Sequence, residues 1–292
     1  MAAKNNPFCK KLTLNCNGRI LDFTTPRIMG ILNLTPDSFY DGGRFVRMRD
    51  VVQHAARMLE EGADILDAGG VSSRPGAPLV EPQEEMARVI PALRELRKAF
   101  PDAIISVDTF RAAVAEVAVN EGADMINDIS AGALDPDMIE TVARLKIPYI
   151  LMHMKGTPAT MQQQPHYEDV TAEISDFFTE KLSLLSKAGV QDIILDPGFG
   201  FGKSVEHNYT LLKNFSHFRI FGLPLMVGIS RKSMICRPLK LSPAEALNGT
   251  TALHAIALLN GADLLRVHDV AEARQTVELI KLYHCVSKPA GY

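Results

Sequence analysis

The sequence contains no tryptophan and only four cysteines in 292 residues. Those cysteines, Cys9, Cys16, Cys236 and Cys285, are scattered, and none forms a C-x-x-C pair. That excludes the usual spacings of zinc, iron–sulfur and dithiol redox sites. Isolated thiols suit a reducing compartment, so a cytoplasmic location is expected. Charge of either sign is nearly cancelled: 34 acidic against 31 basic residues leave a net charge of −3. No field draws the chain to nucleic acid or to an anionic membrane, and neither is expected as a partner. No run reaches the roughly 18 apolar residues of a membrane span. Residues 1–11 carry lysines with no apolar stretch behind them, which argues against a signal peptide. No low-complexity segment, charge block or Pro/Ser-rich linker divides the chain, so one domain over residues 1–292 is expected.

What is present is an alternation. Hydrophobic residues make up 47% and charged residues 22%, an ordinary globular balance. Eight short apolar runs stand out, at residues 28–32, 64–66, 104–107, 124–126, 149–152, 193–195, 225–229 and 264–267. Their continuous apolar character suits strands buried on both faces of a parallel sheet. Between them, helices are predicted over 51–61, 84–100, 111–121 and 244–260. The signals are apolar spacing and stops at Gly62, Pro101, Gly122 and Gly261. The tripeptide Gly-Ala-Asp recurs at 62–64, 122–124 and 261–263, each time where a helix would give way to a strand. Eight such units predict the α/β class and a closed (β/α)8 TIM barrel over about residues 27–284. An open doubly wound sheet would usually carry a glycine-rich turn after its first strand, and residues 30–34 hold one glycine. Upstream, Asn17-Gly18 predicts a short N-terminal β-hairpin over about residues 12–24, able to close the barrel's bottom.

In such a barrel the chemistry sits at the C-terminal ends of the strands. The residues there are Asn33, Asp67, Asp108-Thr109, Asn127-Asp128, His153, Asp196, Ser230-Arg231-Lys232, and Arg266 with His268-Asp269. Asp108, Asn127 and Asp196 suit a planar heterocycle bearing N–H donors. Lys232 suits a ring carbonyl or nitrogen, or balances the carboxylates. Arg74, Arg266 and His268 form a cationic set fit for an anion such as diphosphate. Asn33 is a neutral oxygen ligand of the kind Mg²⁺ accepts. Plainer readings stand beside these. Asp108-Thr109 can cap a helix, Asn127 and Asp128 can form turns, and His153 between two methionines can be a packed histidine. Arg231 and Lys232 can be a solvated helix start. The segment 198–204 is rich in glycine but matches neither the P-loop nor the dinucleotide pattern, which excludes ATP and NAD on this signal. It still lets backbone approach a flat ligand, with Phe201 offering a ring face. Two long glycine-bearing loops, 34–47 and 70–82, read as active-site lids.

The segments "IMGILNLTPDSFYDGG", "GADILDAGGVSSRPGA", "SVDTFR", "MINDISAG", "LMHMKGTPATMQ", "ILDPGFGFGK", "VGISRKSMI" and "LLRVHDV" resemble the dihydropteroate synthases of folate biosynthesis, in order, over about residues 12–283. The resemblance implies a transferase that joins 4-aminobenzoate to 6-hydroxymethyl-7,8-dihydropterin diphosphate, giving 7,8-dihydropteroate and diphosphate. It implies that Asp108, Asn127, Met152, Asp196, Phe201 and Lys232 form the pterin pocket. Asn33, Arg74, Arg266 and His268 would hold diphosphate and Mg²⁺, with Asn33 on the metal. Phe39, Ser73, Pro75, Ser230 and Lys232 would face 4-aminobenzoate. Catalysis would fall to Asp108, Lys232, Arg266 and His268. Sulfonamides would be inhibitors and the chain a homodimer through outer helices. One departure stands in loop 70–82, where the family usually has Glu at Val71 and Thr at Ser73. Two other readings are weighed. A methyltetrahydrofolate–corrinoid methyltransferase-type domain would not need the aminobenzoate and diphosphate sets. A catalytically silent pterin-binding paralogue would have lost Asn33, Arg74, Lys232 or His268, and all four are present.

Overall fold

The computed structural model describes residues 13–34, 44–71, 80–158, 161 and 165–285. The predicted hairpin is β1 (Thr13–Cys16) paired antiparallel with β2 (Arg19–Asp22). Asn17 and Gly18 turn it with φ of 53° and 87°, the positive pair that a two-residue hairpin loop requires. The barrel strands follow as β3 (Arg27–Asn33), β4 (Ile65–Gly69), β5 (Ile104–Asp108), β6 (Met125–Asp128), β7 (Tyr149–Met152), β8 (Ile193–Asp196), β9 (Met226–Val227) and β10 (Leu264–Val267). They pair in parallel in the order β8-β7-β6-β5-β4-β3-β10-β9. A further parallel bridge, Leu195 to Leu225, joins the ends and closes the ring.

All eight apolar runs are strands because both their faces are buried. One face makes the barrel's floor. Met29, Ile65, Met125, Ile150, Ile194, Met226 and Leu264 pack there with partly buried Ile104, one residue from each strand. The hairpin's Leu14, Cys16 and Leu21, with Phe23, seal that floor from below, as expected. The other face meets the helices. On β3, Ile28 and Leu32 join the outer layer, and Gly30 lies between them. A Cβ at Gly30 would come within 2.9 Å of Met58 Sδ, so the missing side chain is what lets α1 (Arg44–Glu60) lie close.

The helices are α1, α2 (Pro82–Ala99), α3 (Ala112–Asn120), α4 (Met138–Leu145), α5 (Val170–Ala188), α6 (Val205–Lys213), α7 (Ser233–Leu239), α8 (Leu247–Leu259) and α9 (Val270–Cys285). The helix predicted over 244–260 is divided. A Ser242–Glu245 capping box makes a separate 3-10 turn at Pro243–Glu245, and α8 begins after it. Among the described residues, no helix is long and apolar enough to cross a membrane.

The recurring Gly-Ala-Asp has a structural purpose. Gly62, Gly122 and Gly261 take φ of 101°, 105° and 94°. Each following aspartate then accepts a backbone N–H at the start of the adjoining strand. Asp64 takes that of Ile28 at 2.8 Å, Asp124 that of Ile105 at 2.9 Å, and Asp263 that of Leu225 at 2.9 Å. Asp64 also binds Arg274 at 2.6 Å, and Asp124 also binds Arg97 at 2.5 Å.

Candidate active site

Side chains alternate along a strand, so a residue two positions beyond a floor residue again faces the barrel interior. That arithmetic lifts Asp67 above Ile65, Asn127 above Met125, Met152 above Ile150, Asp196 above Ile194 and Arg266 above Leu264. Asp108 ends β5 one step higher. The polar layer is thus written into the same strands as the apolar floor. Gly228 marks where it converges. A Cβ there would lie 3.7 Å from Lys232 Nζ, 3.9 Å from Arg266 Cβ and 4.0 Å from Asp196 Oδ2.

Arg266 is bound by two carboxylates. Its Nε donates to Asp67 Oδ2 at 2.6 Å and its Nη2 to Asp108 Oδ2 at 2.8 Å. Asn127 Nδ2 donates to the same Asp67 oxygen at 2.9 Å. Burial pushes the Asp108 carboxyl up to about 7, against the pull of Arg266, and Asp67, Glu85 and Asp128 add to the rise. Asp196 is buried and its Oδ1 accepts the Gly198 N–H at 2.8 Å. Burial raises its pKa too, opposed chiefly by Lys232. The same burial lowers Lys232 to about 8, although Asp196 favours its charge. Lys232 Nζ donates to the Phe199 carbonyl at 2.5 Å and stands 4.6 Å over the Phe201 ring. Met152 packs with Phe110 and Ile129, and partly buried Met154 and Phe201 extend this apolar wall. The pterin set is therefore gathered around one space with an acidic rim, an ammonium and an apolar side.

The glycine loop is held in shape rather than free. Lys203 is buried, and its Nζ donates to the carbonyls of Gly198 at 2.8 Å and Phe201 at 3.1 Å. It also meets His153 Nδ1 at 3.0 Å. The Gly198 backbone, with φ of 72°, crosses so close to β7 that a Cβ would lie 1.9 Å from the His153 carbonyl oxygen. His153 is thus a packed histidine, edge-on to Phe177, and burial pushes its pKa down to about 2. Asp128 also takes its plainer role, accepting from Tyr149 Oη at 2.6 Å and from the backbone of Ser130 and Gly132.

Asn33 and His268 line a cleft of about 580 Å³. Asp50, His54 and Arg57 of α1 and the Arg231–Asp269 pair also line it. Ser230 Oγ lies 3.0 Å from His268 Nδ1, which ties the end of β9 to the end of β10. Arg266, expected with Asn33, Arg74 and His268 on the diphosphate, is paired with Asp67 and Asp108. Phe39, Ser73, Arg74 and Pro75 lie outside the described residues, as do most of loops 34–47 and 70–82. The described ends of the second loop are anchored. Arg88 holds the Gly70 carbonyl at 2.8 Å, and Arg111, paired with buried Glu85, holds that of Val80. Val71 follows directly on the first anchor. Asp67 and Lys203 were absent from the expected site sets. Position at a strand end pointed to the first, and the lysine closing the glycine segment to the second.

A family model described as "Pterin binding enzyme" matches residues 29–268. The dihydropteroate synthase of Escherichia coli strain K12 is 44% identical over 272 residues, covering 92% of this chain and 96% of that protein. Solved structures agree in fold. The Yersinia pestis dihydropteroate synthase with a sulfonamide drug complex has a TM-score of 0.88 at 42% identity, covering 94% of this chain and 100% of that one. The Xanthomonas albilineans dihydropteroate synthase with 4-aminobenzoic acid also has a TM-score of 0.88 at 42% identity, over 94% and 99% of the two chains. Its complex with 7,8-dihydropteroate gives 0.84 at 40% identity, over 94% and 100%. The family match spans the barrel from β3 to His268, and the relatives match at 40% identity or more over nearly the whole of both chains, so the chain belongs to the pterin-binding enzymes and, among them, to the dihydropteroate synthase family.

Proposed function

We propose that this protein is a dihydropteroate synthase: it condenses 6-hydroxymethyl-7,8-dihydropterin diphosphate with 4-aminobenzoate and releases diphosphate. The observation that carries this reading is the gathering of Asp196, Asn127, Lys232 and the Asp108–Arg266 pair around one space at the barrel's mouth. Asp196 is a buried acceptor that suits adjacent N–H donors of a pterin ring. Lys232 offers a donor to a ring carbonyl or nitrogen, and Met152 and Phe201 supply the flat apolar contact. As the methylene C–O bond breaks, positive charge spreads from the methylene into the electron-rich ring. Asp108, when ionised, stabilises that charge electrostatically. The arylamine nitrogen of 4-aminobenzoate then forms the new C–N bond and afterwards loses a proton. No strong base is needed, because an arylamine is already nucleophilic when neutral. We assign Phe39, Ser73, Pro75 and Ser230 to the aminobenzoate side, and Arg74 and His268 to diphosphate.

Mg²⁺ belongs to the same proposal. Among the described residues, no cluster of three or more His, Cys, Asp or Glu could cage a metal. Asn33 on the cleft wall offers one neutral oxygen. That fits an ion that keeps most of its waters and takes other ligands from substrate phosphate. Bound there, Mg²⁺ would neutralise charge on the leaving diphosphate.

Location and assembly complete the proposal. The free thiols of Cys16, Cys236 and Cys285 support a cytoplasmic location. Ile256 and Leu259 on α8, and Leu279, Leu282 and Tyr283 on α9, are exposed apolar side chains on two packed helices, which supports a homodimer through that face.

The test mixes purified protein with the pterin diphosphate, 4-aminobenzoate and Mg²⁺, omitting each in turn, and follows dihydropteroate by chromatography. Product that requires all three supports the synthase. Pterin binding without product would favour a silent paralogue and contradict the proposal.

A further inference from the structure

Asp67 belongs to none of the substrate sets above, yet it lies at their centre. Its side chain is fully buried on β4. One oxygen, Oδ2, accepts from both Arg266 Nε and Asn127 Nδ2. The other, Oδ1, has no hydrogen-bond partner among the described residues. Barrel interiors ordinarily fill such layers with branched apolar side chains. A buried carboxylate with an unmatched oxygen is costly there, so what it holds has to offset that cost.

It holds two things. The ends of an amide are nearly isosteric, and its hydrogen-bond partners decide which way it points. By accepting one of the two Asn127 Nδ2 hydrogens, Asp67 fixes which end of the amide is nitrogen and leaves the amide oxygen for a ligand. Asn127 is then an acceptor, matched to a ring that presents N–H donors. Arg266 is constrained likewise. With Nε on Asp67 and Nη2 on Asp108, its guanidinium plane is fixed across β4 and β5.

We infer that Asp67 is a positioning residue for the condensation: it makes Asn127 a hydrogen-bond acceptor and holds Arg266 against Asp108, so that the pocket selects a donor-bearing pterin ring. The inference rests on the function proposed above. It also has a consequence for charge. Asp108 faces Arg266 from β10, Asp67 from β4, Glu85 from α2 and Asp128 from β6, with Lys232 in electrostatic reach. Removing the Asp67 charge takes one repulsive neighbour from Asp108 and ends the sharing of Arg266 between the two carboxylates, and both changes favour the ionised Asp108.

Asp67→Asn keeps the shape and removes the charge. It is compared with wild type by thermal melting, by calorimetric titration with 6-hydroxymethylpterin, and by the pH dependence of kcat/KM. The folded variant is expected to bind the pterin on the order of tenfold more weakly. The acid limb of its profile is expected at lower pH, and its KM for 4-aminobenzoate unchanged. A purely structural role would not move the acid limb. In an Asn127→Ala background most of the affinity loss should vanish, because the two residues act together. If Asp67→Asn fails to fold, Asp67→Ser, a smaller acceptor, is expected to show the same two changes. Wild-type pterin affinity with an unmoved acid limb in the folded variant would overturn the inference alone. A wild-type protein that neither binds pterin nor makes product would overturn the proposed function and this inference with it.

Discussion

Lys232 and Asp196 depend on each other. Each is driven toward its neutral form by burial, and each is the other's main electrostatic support. Removing either leaves a buried charge uncompensated. Asp196→Asn and Lys232→Ala are expected to lower kcat/KM by at least about 100-fold, with a lower melting temperature but a transition that stays cooperative. Wild-type turnover of either variant at saturating substrates would show that the site has been misassigned. The pH profile follows from the same groups. Asp108 has to be ionised and Lys232 protonated, so kcat/KM should rise through about 7 and fall beyond about 8. Stability carries the opposite sign for Asp108. Its folded pKa lies above the unfolded one, so the folded chain keeps a proton that the unfolded chain has released. Its contribution to stability therefore declines as pH rises from the ordinary carboxylate range to about 7. Asp108→Asn should flatten that decline in urea titrations. The strand-end members of the candidate site, such as Asp108, Asn127 and Asp196, were legible in the sequence because each lies at or directly after an apolar run. The partnership of Asp67 with Arg266 was not, because those residues stand 199 positions apart and no local pattern records which side chains meet across a barrel.

Strands and helices were legible to the extent that periodicity marked them. The eight apolar runs are the eight strands, and the hairpin turn is where Asn17-Gly18 placed it. The helix predicted over 244–260 missed its break, because a capping box at Ser242–Glu245 competes locally with the helical pattern. The Gly-Ala-Asp repeat was visible, but its purpose was not, since the N–H each aspartate accepts belongs to a strand distant in sequence. Asp124 shows what the repeat contributes. Its side chain is 1% exposed and binds Arg19, Arg97 and the Ile105 N–H. Asp124→Ala leaves two arginines without their carboxylate and should destabilise the fold by about 3 kcal/mol, read as a lower urea midpoint. An unchanged urea midpoint in Asp124→Ala would mean that the arginines and the strand N–H gain nothing from this carboxylate.

The whole molecule separates stability from chemistry: an apolar floor sealed by the hairpin, and a polar mouth above it. Its outer surface carries the exposed apolar face on α8 and α9. Leu279→Glu with Leu282→Glu should convert the proposed homodimer to a monomer in light scattering, and a mass that the substitutions leave unchanged, or a wild type that is already monomeric, would contradict a dimer through this face. Sulfonamides should compete with 4-aminobenzoate, and purely noncompetitive inhibition would contradict a shared pocket. The most direct measurement follows diphosphate release and dihydropteroate formation together, with and without 4-aminobenzoate, in wild type and in Asp196→Asn. The account predicts one diphosphate released per dihydropteroate in wild type, dependence on the arylamine, and loss of both products in the variant. Dihydropteroate formed at the wild-type rate by Asp196→Asn, or no dihydropteroate from the wild type at all, would contradict it.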